Sequence, residues 1–451
     1  MGTTEHHGAV EVEPTPPRRN MFAFVCATLA SMTTILMGYN LALMSGAELF
    51  MRDDLGLTDE QVEVLSGSMN MFMLAYILAA GWAADAIGRR GTVVIANAFL
   101  MAGALAMSLG GSFDSLMSAR FVTSVGVGFA VVVAPVYAAE IAPASSRGLL
   151  SSLVDFFITA GILLSYVSNY ALAGLPLQLG WRAMFALGVP PSLLLAAGVL
   201  AMPESPRWLA MRGRDDEARA VLERTSDAPA EARDRLEEIR RAVAAQVGGA
   251  GVWRELFVRA SPMVRRILAN VLVLYSFQQA SGIDAIVLYT PLVFKKAGIS
   301  STSAVLAATV AVGLVKTLSI FVATFLSDRL GRRPLLLASA AGIAVTLTSL
   351  GIALLSAGAG AGETTPTPAV AAACVAFVTA FSIGLGPLAP TYSAEILPLQ
   401  LRAQGMSLGI AANRVTCSII SMTFISLGGH RRSLRQVITR IVLLHRPVRH
   451  V

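Results

Sequence analysis

APVYAAEIAP at residues 134–143 and APTYSAEILP at residues 389–398 agree at seven of ten positions. GWAADAIGRR at 81–90 and TFLSDRLGRR at 324–333 form a second such pair. Asp85 and Asp328 are 243 residues apart, Glu140 and Glu395 are 255 apart, and an arginine follows each glutamate by seven residues (Arg147 and Arg402). Two motifs recurring after nearly the same interval mean that the chain is built from two similar halves.

Each motif copy sits at the edge of long apolar runs. About 20 apolar residues cross about 30 Å of hydrocarbon, and runs of that size occupy 21–45, 64–84, 91–111, 115–139, 149–174 and 182–202. After a polar stretch they resume at 265–290, 303–326, 334–357, 368–392 and 403–428. The runs are continuous and do not alternate, which predicts helices and excludes a lipid-spanning barrel. Composition agrees: 55% of the 451 residues are hydrophobic and 14% are charged, where a soluble domain carries about 25% charged residues. Mean hydropathy is +0.66. The predicted fold class is an all-α membrane protein with about eleven spans, in two pseudo-repeated helical bundles joined by a linker. The expected division is 1–20 as an N-terminal tail, 21–202 as a six-helix bundle, 203–264 as linker helices, 265–428 as a bundle of five spans, and 429–451 as a basic tail.

The net charge of +7 sets orientation. Arg18, Arg19, Arg89, Arg90, Arg147, the 203–264 segment, Arg329, Arg332, Arg333 and Arg402 all fall on one side of the predicted spans, while the opposite loop at 46–63 is acidic. By the positive-inside rule the first side is cytoplasmic. The basic residues do not gather on one face of a soluble helix, so nucleic acid is not an expected partner. Within the linker Leu236, Ile239 and Val243 recur at helical spacing, as in a short amphipathic helix. Cys26, Cys374 and Cys417 lie in apolar segments far from any histidine, which predicts buried thiols and no metal site. Residues 1–20 are polar, so no cleavable signal is expected. There is no HExxH, GxSxG or phosphate-binding loop, and neither an enzyme nor a cofactor is expected. Two similar bundles around a central site are the layout of a carrier that rocks between two open states. Its expected partners are a small polar solute and the bilayer.

Several segments resemble the sugar porter family of the major facilitator superfamily, over roughly residues 20–428. They are GWAADAIGRR at 81–90, RFVTSVGVG at 120–128, PVYAAEIAPASSRG at 135–148, PESPRWL at 203–209, QQASGID at 278–284 and AEILPLQLRAQG at 394–405. GILLSYVSNY at 161–170 is similar to the plant polyol and monosaccharide branch, since many hexose carriers have glutamine where Ile162 stands. The resemblance implies the major facilitator fold, transport of a sugar or sugar alcohol by alternating access, and a multi-pass protein of the plasma membrane. It also implies an inner gate of ion pairs holding the bundles together, carried by Asp85, Arg89, Arg90, Glu140 and Arg147 and by Asp328, Arg332, Arg333, Glu395 and Arg402.

Solute ligands are expected on the seventh span, near the midplane. Gln278 and Gln279 cost free energy in lipid unless hydrogen-bonded, and an amide both donates and accepts, as a polyhydroxylated ligand requires. Gly282 permits local unwinding, and Asp284 and Tyr289 complete the set. Helix–helix hydrogen bonding is the alternative use of the same amides. Lys316, in the middle of the eighth span, calls for a counter-ion, and Asp284 on the neighbouring span is the expected one.

Coupling is where the chain departs from the resemblance. Proton-coupled members carry an aspartate after Gly-Tyr in the first span, opposite the arginine that Arg120 matches; here Gly38 and Tyr39 are followed by Asn40. An amide does not carry a proton, so family habit implies proton symport while the residue implies facilitative uniport. Pro390 stands where many relatives place a tryptophan, and Ser124 where the arginine motif has its first glycine. The family has a twelfth span, but after Leu427 the longest apolar stretch is 441–444, and Arg431, Arg432, Arg435, Arg440, Arg446 and Arg449 follow. This end is expected to be an alternative or frameshifted one that impairs transport; a sugar sensor is the remaining alternative.

Overall fold

The computed structural model describes residues 20–143, 147–246, 261–296, 298–359, 367–397 and 402–429. Among them every regular element is an α-helix. Ten segments are long and apolar enough to cross a bilayer, and large apolar side chains such as Trp82, Leu194 and Ile352 face outward where lipid would cover them.

The first bundle runs α1 (Met21–Leu55), α2 (Asp59–Ile87), α3 (Arg89–Leu109), α4 (Phe113–Ile141), α5 (Arg147–Leu172), and a sixth span split into α6 (Leu177–Ala186) and α7 (Val189–Leu200). Thr58 and Gln61 close a capping box at the start of α2: Thr58 Oγ1 accepts from Gln61 N and Gln61 Oε1 accepts from Thr58 N. Asp59 and Glu60 add negative charge to that first turn. The expected loop at 46–63 is therefore mostly helix. α1 is 35 residues long, about 52 Å at 1.5 Å per residue, and stops only where Gly56 turns left-handed at φ +62 with its N–H on Arg52 O. Glu48 and Glu63, acidic loop residues by sequence, are buried helical ones.

Within this bundle α1 and α5 cross at glycines. A Cβ on Gly38 would lie 2.0 Å from Ile158 O, and one on Gly161 would lie 2.1 Å from Ile35 O. Only the missing side chains let the backbones approach so closely.

The linker holds α8 (Pro206–Met211), α9 (Asp215–Thr225) and α10 (Pro229–Gln246), which bury Leu209, Ala218, Leu222 and Leu236 as a small core of their own. The second bundle begins with a seventh span split into α11 (Pro262–Ala280) and α12 (Ile283–Lys296), then α13 (Thr302–Leu330) and α14 (Arg332–Ala359). A tenth span is split into α15 (Thr367–Ile383) and α16 (Leu385–Ile396). α17 (Arg402–Gly429) is 28 residues long, stands in the place of the eleventh span, and carries Asn413 and Arg414 midway. The basic tail after residue 429 lies outside the described residues.

The bundles meet along pseudo-equivalent seams, α2 against α17 and α5 against α13, with α12 also touching α1. Tyr166 OH on α5 donates to Val287 O on α12 at 2.6 Å. The repeat seen in sequence returns as backbone geometry: Gly88 and Gly331, the glycines of the two GRR motifs, have φ +99 and φ +82. That region is strained for residues with a Cβ.

Candidate functional site: a polar cleft between the bundles

A narrow cleft opens where α1, α2 and α4 face α12 and α17. Ser66, Asn70 and Arg120 line it from the first bundle, Asp284 and Ser421 from the second. It has room for about one water and not for a sugar, so binding a solute here requires the bundles to part.

Within the second bundle two broken spans meet. The seventh breaks at Ser281 and Gly282, where Gly282 adopts φ +83, and the tenth breaks at Gly384. Gly386 O, in the first turn after the break, has no helical donor because Pro390 four residues on carries no N–H, and in lipid it needs another partner. Gln278 supplies it: its Nε2 donates to Leu385 O at 3.1 Å and to Gly386 O at 2.9 Å. Asn413 Nδ2 donates to Gln278 Oε1 at 2.8 Å, and Gln279 Nε2 donates to Asn413 Oδ1 at 3.2 Å. Gln279 Oε1 is buried without a partner, the kind of acceptor that a ligand hydroxyl can satisfy. Asn413 gave no signal in the sequence reading because it falls inside an apolar run. An amide in mid-span was the available clue, the same one that marked Gln278.

Asp284, half-buried at the cleft, accepts the Cys417 thiol, with Oδ2 at 2.9 Å from Sγ. Tyr289 is fully buried and its hydroxyl donates to Ser421 O at 2.9 Å, joining α12 to α17. Lys316 is 8% exposed. Asp284 is the charge whose field reaches it, but the two are not within ion-pair distance, so the expected Lys316–Asp284 salt bridge is not formed. Cys417 takes up the carboxylate oxygen instead.

On the first bundle Arg120 is 1% exposed. Its Nε donates to Leu65 O at 3.2 Å, and its Nη1 reaches Asn40 O at 3.5 Å and Met69 Sδ at 3.2 Å. The Asn40 side chain turns away, with Nδ2 donating to Leu36 O at 2.9 Å. Arg120 therefore meets the backbone of Asn40 and not its amide. Arg414 Nη1 reaches Asn70 Oδ1 at 3.5 Å across the bundle interface.

The motif charges cluster at the linker end. Arg89 bridges Asp85 at 2.9 Å and Glu140 at 3.1 Å, and Ser205 Oγ also donates to Glu140. Arg90 turns to the linker, with its N–H on Glu204 Oε1 at 3.0 Å and Nη1 on Met202 O at 3.0 Å. The linker answers: Arg235 Nη2 donates to Glu140 O at 3.0 Å, and Trp208 Nε1 donates to Asp85 O at 3.0 Å. In the second bundle Arg332 pairs with Glu395 at 3.3 Å, and Arg333 is exposed. The side chains of Arg147, Asp328 and Arg402 lie outside the described residues. Among the described residues these ion pairs brace each bundle separately, and none crosses between them.

The profile of the sugar (and other) transporter family matches residues 26–432. Polyol transporter 5 of Arabidopsis thaliana is 50% identical, over 91% of this chain and 79% of that one. The galactose-proton symporter of Escherichia coli strain K12 is 33% identical, over 90% of this chain and 85% of its own length. Among solved structures, the xylose transporter from E. coli in its partially occluded inward-open conformation superposes with a TM-score of 0.80 at 23% identity, covering 94% of this chain and 96% of that one. With a repeated two-bundle fold, a cleft at their interface and a family match across nearly the whole described region, this chain belongs to the sugar (and other) transporter family.

Proposed function

We propose that the chain carries a polyol or monosaccharide across the plasma membrane by alternating access, and is not an enzyme or a sensor. The observation that carries this reading is the amide cluster of Gln278, Gln279 and Asn413, set against the carbonyls of the broken tenth span beside the interbundle cleft. When the bundles part, these amides can exchange protein partners for solute hydroxyls, each donating and accepting as a polyol requires. Asp284 and Tyr289 offer further polar contacts on the same helix. The half identity to a plant polyol transporter supports a sugar alcohol over other solutes.

The linker end is the cytoplasmic end in this reading, because the arginine-rich loops and α8–α10 lie there. Asp85, Arg89 and Glu140, and Arg332 with Glu395, hold the inner ends of the two bundles as rigid units. The other gate residues assigned from the resemblance (Arg90, Arg147, Asp328, Arg333 and Arg402) keep that role as part of the proposal. Rocking then occurs between bundles and not within them. Proteoliposomes containing only this chain should exchange labelled sorbitol or xylose for the same compound inside, at a rate that saturates. Absence of exchange with a broad panel of polyols and monosaccharides, from protein that is inserted and folded, would remove the carrier reading and favour a sensor.

A further inference from the structure

The first span lacks the carboxylate that would face Arg120 at position 40, yet the same helix carries another two turns on. Glu48 is 4% exposed, and Ser66 Oγ donates to its Oε2 at 3.2 Å. Ser66 itself lines the central cleft together with Arg120 and Asp284, so a single hydroxyl separates Glu48 from the site where a solute would sit.

The surroundings of Glu48 can be named from every side. From α1 the field of Arg52 reaches it, and from α4 that of Arg120. On α12 the Tyr289 hydroxyl meets Ser66 of α2 and lies in the field of Glu63, Glu48 and Arg120. Asn169 of α5 packs on Gly46, two residues before Glu48. Among the described residues no guanidinium or ammonium lies within ion-pair distance of Glu48. Arg120, for its part, bonds only to neutral acceptors, the two carbonyls and the thioether. A buried guanidinium on the cleft wall and a buried carboxylate just behind Ser66 thus lie on different helices of one bundle, each without an ion-pair partner among the described residues. A carboxylate so placed can take and release a proton while Arg120 stays charged, and burial ties its charge state to which side the cleft faces.

We propose that Glu48 is the proton-binding site of this carrier, replacing the carboxylate absent at Asn40, so that transport is proton-coupled. This rests on the carrier reading above. With the cleft open outward, Glu48 takes a proton from the outer medium through Ser66 and the solute binds. After the bundles rock, the proton leaves to the inner medium and the ionised carboxylate resets. One proton enters with one solute, and no bond other than O–H is made or broken.

The test uses the full chain in proteoliposomes, with sorbitol and xylose as probes and two readouts. Exchange at equal pH reports binding and rocking without net proton movement. Accumulation driven by an imposed pH gradient reports coupling. One proton per solute and a gradient of one pH unit give about tenfold accumulation, because each unit stores 2.303RT per proton. The wild type should reach it, and Glu48→Gln should keep exchange while accumulation falls to none. Exchange by the wild type without gradient-driven accumulation would overturn the Glu48 proposal and leave the carrier reading intact, as would a Glu48→Gln variant that still accumulates. No exchange of either probe by the wild type would overturn both. Should Glu48→Gln fail to insert, Ser66→Ala serves instead. It removes the donor to the carboxylate, together with the Ser66 contact to the Tyr289 hydroxyl, and should move the pH dependence of accumulation to higher pH, and an unmoved profile would sink the proposal.

Discussion

Asn413→Ala tests whether the amide cluster serves the solute or only the packing of helices. The asparagine makes two good hydrogen bonds, to Gln278 Oε1 at 2.8 Å and from Gln279 Nε2 at 3.2 Å, and a long one to Tyr275 O at 3.4 Å. The long one is discounted, since such contacts weaken steeply with length. Interhelical hydrogen bonds in membrane proteins average about 0.6 kcal/mol and reach about 1.7, so the two together amount to roughly 1–3 kcal/mol. If the same bonds hold both glutamines in the orientation that receives the solute, their loss appears in binding too. The middle of that range is about thirtyfold in the half-saturating concentration, at 1.4 kcal/mol per decade. Saturation curves for exchange and thermal unfolding in detergent, on the same preparations, separate the cases. Lowered unfolding temperature with unchanged half-saturation would refute the solute role and leave helix packing. No change in either would mean that the cluster contributes nothing measurable.

Gln279→Ala deletes the buried orphan acceptor along with a donor, and should weaken solute binding by about 1–3 kcal/mol; unchanged half-saturation would argue that Oε1 never meets the ligand. Gly88→Ala places a Cβ 2.3 Å from Glu204 Oε2 at φ +99, and should cost about 1–3 kcal/mol of stability, read as a lower unfolding temperature; an unaltered one would mean that the GRR turn relaxes freely. A cysteine at Asp53, exposed beside the α1–α2 turn, should react with an impermeant thiol reagent on intact cells. One at Ala230 on exposed α10 should react only after permeabilisation, and the reverse pattern would invert the topology.

Much of the architecture was legible because it depends on coarse physics. Continuous apolar runs fix helices in lipid, and the DxxGRR and AEIxP repeats fix two halves. Side-chain partners were less legible, and each miss has a reason. Glu48 and Glu63 read as a solvated loop because acids near Arg52 and Asp53 look polar on average. The four-residue spacing of Leu43, Ala47 and Met51 is the local signal that α1 continues past residue 45. The Lys316 counter-ion was reasoned from sequence neighbours alone, which could not register that Cys417, 133 residues after Asp284, would occupy the carboxylate. Gln278 was read correctly as a buried amide in mid-span. That its donor would serve Gly386 O, which Pro390 four residues on leaves without an N–H, depends on the tenth span packing beside the seventh, and sequence spacing does not announce that pairing.

The two halves repeat in motif but not in rigidity. In the first bundle α4 passes unbroken through Pro135, and α1 is held against α5 by glycine crossings that leave no room to slide. In the second bundle the span carrying Pro390, the counterpart of Pro135, breaks at Gly384, and the seventh span breaks at Gly282. At those breaks Gln278 meets the carbonyls of the tenth span and Asp284 lines the cleft, while the first bundle presents Arg120 and, behind Ser66, Glu48. A division of labour follows from that asymmetry. The second bundle can adapt its hydrogen bonds to a solute, because Gln278 already holds carbonyls that a ligand could release. The first bundle can hold charge in fixed geometry, because α1 and α5 pack backbone to backbone at Gly38 and Gly161. If the amides take the solute and Glu48 the proton, as proposed above, recognition and coupling sit on opposite bundles, and parting the bundles changes the surroundings of both together.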